Sequence, residues 1–491
     1  MMEYIQKFET LTFCSLFHEL AEKNAAKTAV SGGGKSYTYR ELDEYSTDFA
    51  GKLLKAGLKQ EEIAALKLGR SADILLSILA VWKAGGAYLF LDDCYPHTRN
   101  EKLLSEAECS IIIDESYISR QHLKRDPGFF DLSKRENTAV LIYTSGSTSF
   151  PKGVVIEHRN IMASISNAER LGISEHDKVC VFPSYSFVAS IYDTFGTLSH
   201  GGSIDIIPEE DRRHILMIEK YFIDHDITLA YLPPHMARKI ESDMNPDLKL
   251  RALLVGGEIV RNLRPDALPI LNVYAATETC SLAVTYLALT AQQVYPIGRP
   301  NPNLRAYIVD ESGNPVRKGE KGELWLAGPQ IARGYFKRPE ETARNFIPNP
   351  FCNKKGYDRV FRTSDLTHEL DDGNLMFDGR LDSMLKIRGF RVESGAVESV
   401  IMETAAVKEV VVTSFTDSGG TDILCGFFTS DEDIDVKKLK EKLRDVLPYY
   451  MIPTALIRLD EMPININRKI DRKALKPPKE LDDHKLLEKL Y

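Results

Sequence analysis

Residues 141–158 read LIYTSGSTSFPKGVVIEH, and the two halves of this stretch differ in character. Residues 139–143 are a short, strongly apolar run that reads as a buried strand. The tract Thr144-Ser145-Gly146-Ser147-Thr148-Ser149 follows at once, and then Pro151-Lys152-Gly153. Hydroxyls and backbone N–H groups at that density, among small residues that permit close approach, are what a polyphosphate needs. Lys152 adds a point charge at the end of the loop. The spacing is not that of the Walker loop, because no Gly-Lys-Ser/Thr opens a helix here. A Ser/Gly-rich surface turn has the same composition.

Working outward toward the N-terminus, residues 16–21 read as part of an amphipathic helix and residues 37–42 start the next. Residues 63–68 are a strand candidate. Residues 71–84 carry apolar side chains at helical spacing, and Gly85-Gly86 close them as helices usually close. Asp92-Asp93-Cys94-Tyr95-Pro96 reads as a turn with no chemistry. Toward the C-terminus, apolar runs at 179–182, 203–207, 227–232 and 253–255 alternate with helical stretches. That alternation predicts an α/β fold of parallel or mixed sheets covered by helices. Residues 322–328, GELWLAG, lie among β-like runs and turns that suggest a small barrel-like subdomain. The texture changes at Arg380. Val397, Val400 and Ile401 share a helical face, 410–415 and 423–428 read as strands, and Val436, Leu439, Leu443 and Val446 line another helix. A small α+β domain of about a hundred residues follows, with its boundary at Asp382.

At 491 residues the chain is too long for one core. Its 43% hydrophobic and 27% charged residues are ordinary for a soluble globular protein. A formal charge of −8 argues against a nucleic-acid partner. Seven cysteines are scattered without a CxxC pair, and no HExxH occurs, which argues against zinc and for reduced thiols in the cytoplasm. There is no signal-peptide pattern and no apolar run long enough to span a bilayer.

The order of these stretches resembles the adenylate-forming superfamily: acyl-CoA synthetases, luciferases and the adenylation domains of nonribosomal peptide synthetases. The resemblance covers nearly the whole chain. It implies that Thr144, Ser145, Gly146, Ser147, Thr148 and Lys152 hold the phosphates of ATP. Residues 272–278, NVYAATE, resemble the family's N-x-YGPTE. This implies that Asn272 opens the motif, Tyr274 stacks on adenine, Thr277 meets the α-phosphate and Glu278 holds Mg²⁺, a hard cation suited to carboxylate and phosphate oxygens. Ala275-Ala276 stand where the family has Gly-Pro. Gly256-Gly257-Glu258 resembles the GGE beside the adenine. FRTSDL at 361–366 resembles Y-RTGDL, which implies that Asp365 grips both ribose hydroxyls, with Arg380 completing the contacts. NRKIDRK at 467–473 resembles N-G-K-x-DRK, with Arg468 at the family's glycine, and implies that Lys469 bridges the substrate carboxylate and the phosphate. LKIRGFR at 385–391, which contains Lys386, resembles the stretch that swings into the site after adenylation. There Gly389 would let a pantetheine thiol approach. Asp92 to Pro96 resembles the family's ID-P-x-YP, and Asp382 matches the hinge about which the small domain turns. The implied organisation is an N-terminal adenylate-forming domain over 1–379, a hinge at 380–382, a mobile C-terminal domain over 383–476 and a charged tail over 477–491.

Amino-acid-activating members carry F-D-x-S, whose aspartate pairs with the α-ammonium. This chain has Ser186-Phe187-Val188-Ala189-Ser190-Ile191-Tyr192, so Val188 stands at the aspartate. An ammonium without its partner in a desolvated pocket costs on the order of several kcal/mol. The other pocket positions are Ala189, Tyr192, Tyr231, Leu254, Gly256, Val273, Ser281 and Leu282, mostly apolar with two phenols and one hydroxyl, and Gly256 is expected to leave space at depth. Asp193 is adjacent but should point about a quarter-turn away on a helix. The resemblance thus implies ATP- and Mg²⁺-dependent activation of a small carboxylic acid, amino-acid-like but suited to an α-keto, α-hydroxy or aryl acid. The acyl-AMP would then load the phosphopantetheine thiol of a separate carrier protein in natural-product biosynthesis, because the chain begins at Met1 and ends without a carrier or condensation domain. Three alternatives stand beside it: a ligase making a soluble CoA thioester, an ordinary α-amino acid enzyme with a non-standard amine contact, and a binding protein without catalysis.

Overall fold

The strand expected over 139–143 runs from Thr138 to Thr144, is buried along its length and pairs antiparallel with Lys152–Glu157. Thr144 and Lys152 are cross-strand partners, so the Ser/Thr/Gly tract is the connection of this hairpin. The computed structural model describes residues 2–125, 128–144, 151–168, 172–242, 244–266, 268–382, 384–417, 420–463 and 472–477. Ser145, Gly146, Ser147, Thr148, Lys469 and all but the first residue of the tail at 477–491 lie outside them.

Among the described residues, the hairpin belongs to a six-stranded sheet in the order 334–335, 152–157, 138–144, 87–90, 63–66, 111–113. A nine-stranded mixed sheet holds the four expected runs as Lys178–Val181, Ser203–Ile206, Leu229–Leu232 and Ala252–Gly256. Helix Asp73–Lys83 is buried on every side, as a helix between two sheets must be. Its Trp82 donates to the carbonyl of Ala139 at 2.7 Å and meets the rings of Phe13, His158 and Phe195. The barrel-like region is a five-stranded antiparallel sheet built on Arg305–Val309, Gly322–Ala327 and Arg359–Glu369. No helix among the described residues is long and apolar enough to cross a membrane.

After Asp382 come the hairpin Met384–Ile387/Phe390–Glu393, helix Ser394–Thr404 and a three-stranded sheet containing Glu409–Thr416 and Asp422–Thr429. The core of this small domain does not end at its own surface. Tyr95, from the segment expected to be a plain turn, belongs to it, and Phe187 packs against it. Phe390 stacks on Tyr450 with ring centroids 4.2 Å apart, and Phe187 meets Phe390 edge-on at 5.1 Å.

Three local expectations change. The helix placed at 37–42 begins at Tyr39, because Thr38 caps it in a box with Glu41 and Tyr37 belongs to strand Lys35–Thr38. Val446 lies beyond helix Val436–Arg444 and is 42% exposed, since the chain turns there toward Pro448. Gly256 does not open space in the pocket. A Cβ built on it would stand 2.1 Å from the carbonyl oxygen of Val273 on the neighbouring strand, so its missing side chain serves strand packing.

Gly256→Ala is therefore expected to lower stability by about 1–3 kcal/mol, since backbone cannot yield as a side-chain tip can. Denaturant unfolding measures it, and an unchanged midpoint would show that the two strands part freely.

Candidate active site

The fold brings polar residues of two separate sheets together. Strand Ile270–Ala276 delivers Asn272 and Tyr274, and strand Arg359–Glu369 delivers Asp365. Tyr274 is buried and its hydroxyl donates to Asp365, which also accepts from Arg380. Asn272 is buried and its amide donates to the Pro296 carbonyl at 2.7 Å, so its side chain fixes the strand end. Gly257, Glu258, Asn272, Tyr274, Arg380 and Lys386 line one cavity of about 280 Å³. Lys386 of the small domain lies 5.0 Å from the centre of the Tyr274 ring and 5.5 Å from that of Phe377. Asp382 lines the same cavity and grips Arg380 with both oxygens at 2.6 Å.

The hairpin at 384–393 closes over this site. Gly389 and Gly257 meet so closely that a Cβ on Gly257 would stand 2.9 Å from the Gly389 Cα. The Gly389 amide donates to Glu258 at 2.9 Å. Burial first, and then Asp422, push the Glu258 carboxyl up to about 7, although Gly389, Arg238 and Arg388 pull the other way.

Glu278 is wholly buried on the turn after Ala276. Its Oε1 accepts from Tyr335 at 2.9 Å and from Arg391 at 3.1 Å, while Oε2 has no hydrogen-bond partner among the described residues. Burial alone would raise its carboxyl, but Arg391 and Lys152 hold it below the ordinary carboxylate range. Lys152 sits 4.4 Å from the centre of the Tyr335 ring. Burial, and then Arg391, lower the Lys152 ammonium. Thr144 is buried beside Lys152, and Thr277 is half-buried at the start of the turn.

The acid-pocket positions are split. Val273 faces the first cavity, and Phe187, Ala189 and Tyr231 line a second one of about 380 Å³ that reaches Gly389. Val188, Tyr192, Leu254, Ser281 and Leu282 are packed inside, at 8%, 1%, 4%, 0% and 3% exposure. The Tyr231 hydroxyl donates to the Gly256 carbonyl at 2.9 Å. Tyr192 Oη and Ser281 Oγ are buried without a hydrogen-bond partner among the described residues. Ser281 also sits at φ +83°, a strained conformation for a residue with a side chain. Asp193 lies on a π-helical turn, Tyr192–Gly196, and burial pushes its carboxyl well above the ordinary range.

Sequence reasoning missed Tyr335, gave Arg391 no role and overlooked His235. Tyr335 stands seven residues beyond the GELWLAG stretch, and its antiparallel pairing with Val154 reveals its place. His235 lines the second cavity, with both ring nitrogens unpartnered among the described residues and its imidazole pushed down to about 3 by burial, Arg388 and Arg238.

A buried carboxylate beside Lys152, facing a hairpin from a second domain, is the arrangement of an adenylate-forming ligase. The chain belongs to the AMP-binding enzyme family: residues 17–336 match it, and residues 396–469 match the AMP-binding enzyme C-terminal domain. It is 32% identical over 480 residues to bacitracin synthase 1 of Bacillus licheniformis, covering 94% of this chain and 9% of that protein. The chain thus spans a small part of that relative's length. Among solved structures it resembles NpsA-ThdA, an artificially fused adenylation–PCP di-domain of a nonribosomal peptide synthetase from Klebsiella oxytoca. The TM-score is 0.82 at 25% identity, covering 92% of this chain and 94% of that one. A four-domain nonribosomal peptide synthetase bound to AMP and glycine gives a TM-score of 0.68 at 27% identity, covering 96% of this chain and 37% of that one.

Glu258 binds its proton more tightly with the hairpin seated than a carboxyl in water does, so seating is strongest at low pH. It should weaken as pH rises from the ordinary carboxylate value through about 7. Hydrogen exchange of residues 384–393 across that range reads it, and Glu258→Gln should flatten the profile. A flat profile in the unmodified protein would show that Glu258 does not titrate with seating.

Proposed function

We propose that this chain activates a small carboxylic acid with ATP and loads it onto the phosphopantetheine arm of a separate carrier protein. The observation that carries the reading is the seated hairpin, with Gly389 against Gly257 and a cavity running from Gly389 past Phe187 and Tyr231. In the first half-reaction a carboxylate oxygen attacks the α-phosphorus of ATP and the bond to pyrophosphate breaks. Thr144 to Thr148 and Lys152 hold the polyphosphate, Tyr274 the adenine, Thr277 the α-phosphate, and Asp365 with Arg380 the ribose. Lys469 follows the charge that develops on the carboxylate and phosphate. Glu278 suits Mg²⁺, because its second oxygen is buried and without a hydrogen-bond partner among the described residues. When bound, such a cation neutralises phosphate charge.

In the second half-reaction the pantetheine thiol loses its proton, sulfur attacks the acyl carbonyl carbon and AMP leaves. Gly389, lacking a side chain, leaves the arm its path. We place the hinge for this exchange at 380–382, between strand Leu375–Arg380 and the hairpin, so that 1–379 and 383–476 move as two bodies in the cytoplasm, where ATP is supplied.

The acid has no carboxylate waiting for an α-ammonium. Val188 is apolar, Asp193 is held toward its neutral form, and the Gly256 carbonyl is taken by Tyr231. An α-keto, α-hydroxy or aryl acid fits this lining.

Acid-dependent ATP–pyrophosphate exchange over matched acids, with and without α-amino groups, tests the reading. The acid lacking the amine should be activated at least as well as its amino counterpart, and Val188→Asp should reverse the order by restoring a partner for the ammonium. Lys469→Ala should lower exchange by about 10²–10³-fold. Strict preference for an ordinary α-amino acid would overturn the substrate assignment, and thioester formed on CoA but on no carrier would overturn the acceptor.

A further inference from the structure

We propose that Arg391 is a protein-borne stand-in for the divalent cation on Glu278, so that seating of the hairpin and binding of metal-bound nucleotide exclude one another. The inference rests on the reading of Glu278 as the carboxylate that meets the cation.

With the hairpin seated Glu278 has no exposure, so a nearby positive charge must balance it in this state. Two of its neighbours belong to the large domain. Tyr335 gives a neutral hydrogen bond, and Lys152 acts at a distance, turned toward the Tyr335 ring. Among the described residues the close positive charge is Arg391, 3.1 Å away, and it arrives on the small domain. Arg391 also pairs with Glu393 at 3.2 Å. The two are i and i+2 on strand Phe390–Glu393, hence on one face, so the arginine keeps a partner when the hairpin leaves. Glu278 does not. Its departure uncovers a carboxylate whose Oε2 is already without a hydrogen-bond partner among the described residues, which is the state a hard cation requires.

A guanidinium and a divalent cation cannot share this carboxylate without repelling each other at contact distance. Metal-bound ATP therefore holds the hairpin off. With no cation on it, Glu278 would be free to pair with Arg391 as the hairpin seats. The order of the two half-reactions is thereby written into a single carboxylate.

The test uses the full chain with Mg²⁺ and the non-reacting analogue α,β-methylene-ATP. Hydrogen exchange of the 384–393 hairpin should rise when Mg²⁺ is added to the analogue-bound protein, and should stay low with AMP alone. By calorimetry, Arg391→Ala should bind the Mg²⁺ analogue about fivefold tighter than the unmodified chain. AMP affinity should be unchanged, and Arg391→Lys should lie between. In a Glu278→Gln background, removing Arg391 should change nothing further. Equal affinity of unmodified and Arg391→Ala protein for the Mg²⁺ analogue, or a hairpin equally protected with Mg²⁺ present, overturns the proposal. If Arg391→Ala does not fold, exchange in the unmodified chain decides alone. Failure here with intact acid-dependent pyrophosphate exchange removes only the cation exchange, whereas absence of that exchange with every acid removes the functional reading beneath it.

Discussion

A full negative charge without access to water is the constraint around which this molecule is arranged. Moving a carboxylate such as Glu278 out of solvent costs on the order of several kcal/mol even after relaxation, unless opposite charge and hydrogen bonds meet it. Those partners come from parts of the chain far apart in sequence. Lys152 opens the strand paired with Thr138–Thr144, and Tyr335 sits on a two-residue strand paired with Val154. The backbone amide of Ala332 donates to the Glu278 carbonyl at 2.9 Å, tying that segment to the turn itself. Arg391 comes from the small domain. The six-stranded sheet, the nine-stranded sheet and the small domain thus converge on one group.

What holds the small domain in this position is of two kinds. The aromatic group of Phe187, Phe390, Tyr95 and Tyr450 supplies apolar area through one stacked and two edge-on contacts. The Glu278–Arg391 pair and the Gly389–Glu258 hydrogen bond supply orientation. Interfaces of this mixed sort are those that domains leave and re-form. The close passage of Gly389 over Gly257 sets how near the two bodies come, because any side chain on Gly257 would meet the opposing backbone.

Much of this was legible in the sequence, and the reasons it was legible are specific. The apolar run before Thr144 is long enough to mark a buried strand, and the alternation of short apolar runs with helices fixed the α/β class. The strings around Tyr274, Asp365 and Lys386 marked residues that the fold brings together, Tyr274 bonding Asp365 and Lys386 lying over the Tyr274 ring. What could not be read depends on which strand lies opposite. Gly256 looked like an opening in the pocket, but the neighbouring strand's Val273 carbonyl occupies that side. Tyr335 carries no local sign that it meets Glu278. Tyr95 sat in an apparent turn, and only the placement of the small domain shows it to be core.

The acid pocket shows how polarity and charge come apart. Val188 removes the expected carboxylate, and burial pushes the carboxyl of Asp193, one residue past Tyr192, well above the ordinary range. Behind the cavities, polar atoms remain: Tyr192 Oη and Ser281 Oγ are packed inside, without a hydrogen-bond partner among the described residues. A polar atom left so in a dry site loses roughly 1–3 kcal/mol relative to one that finds a partner. Neither residue lines the two cavities described above, so that cost falls on the packing of the large domain. Ser281 adds backbone strain at φ +83° to the same place. The residues that do face the cavities, Val273, Phe187, Ala189 and Tyr231, carry no charge, and the one hydroxyl among them is already engaged with the Gly256 carbonyl.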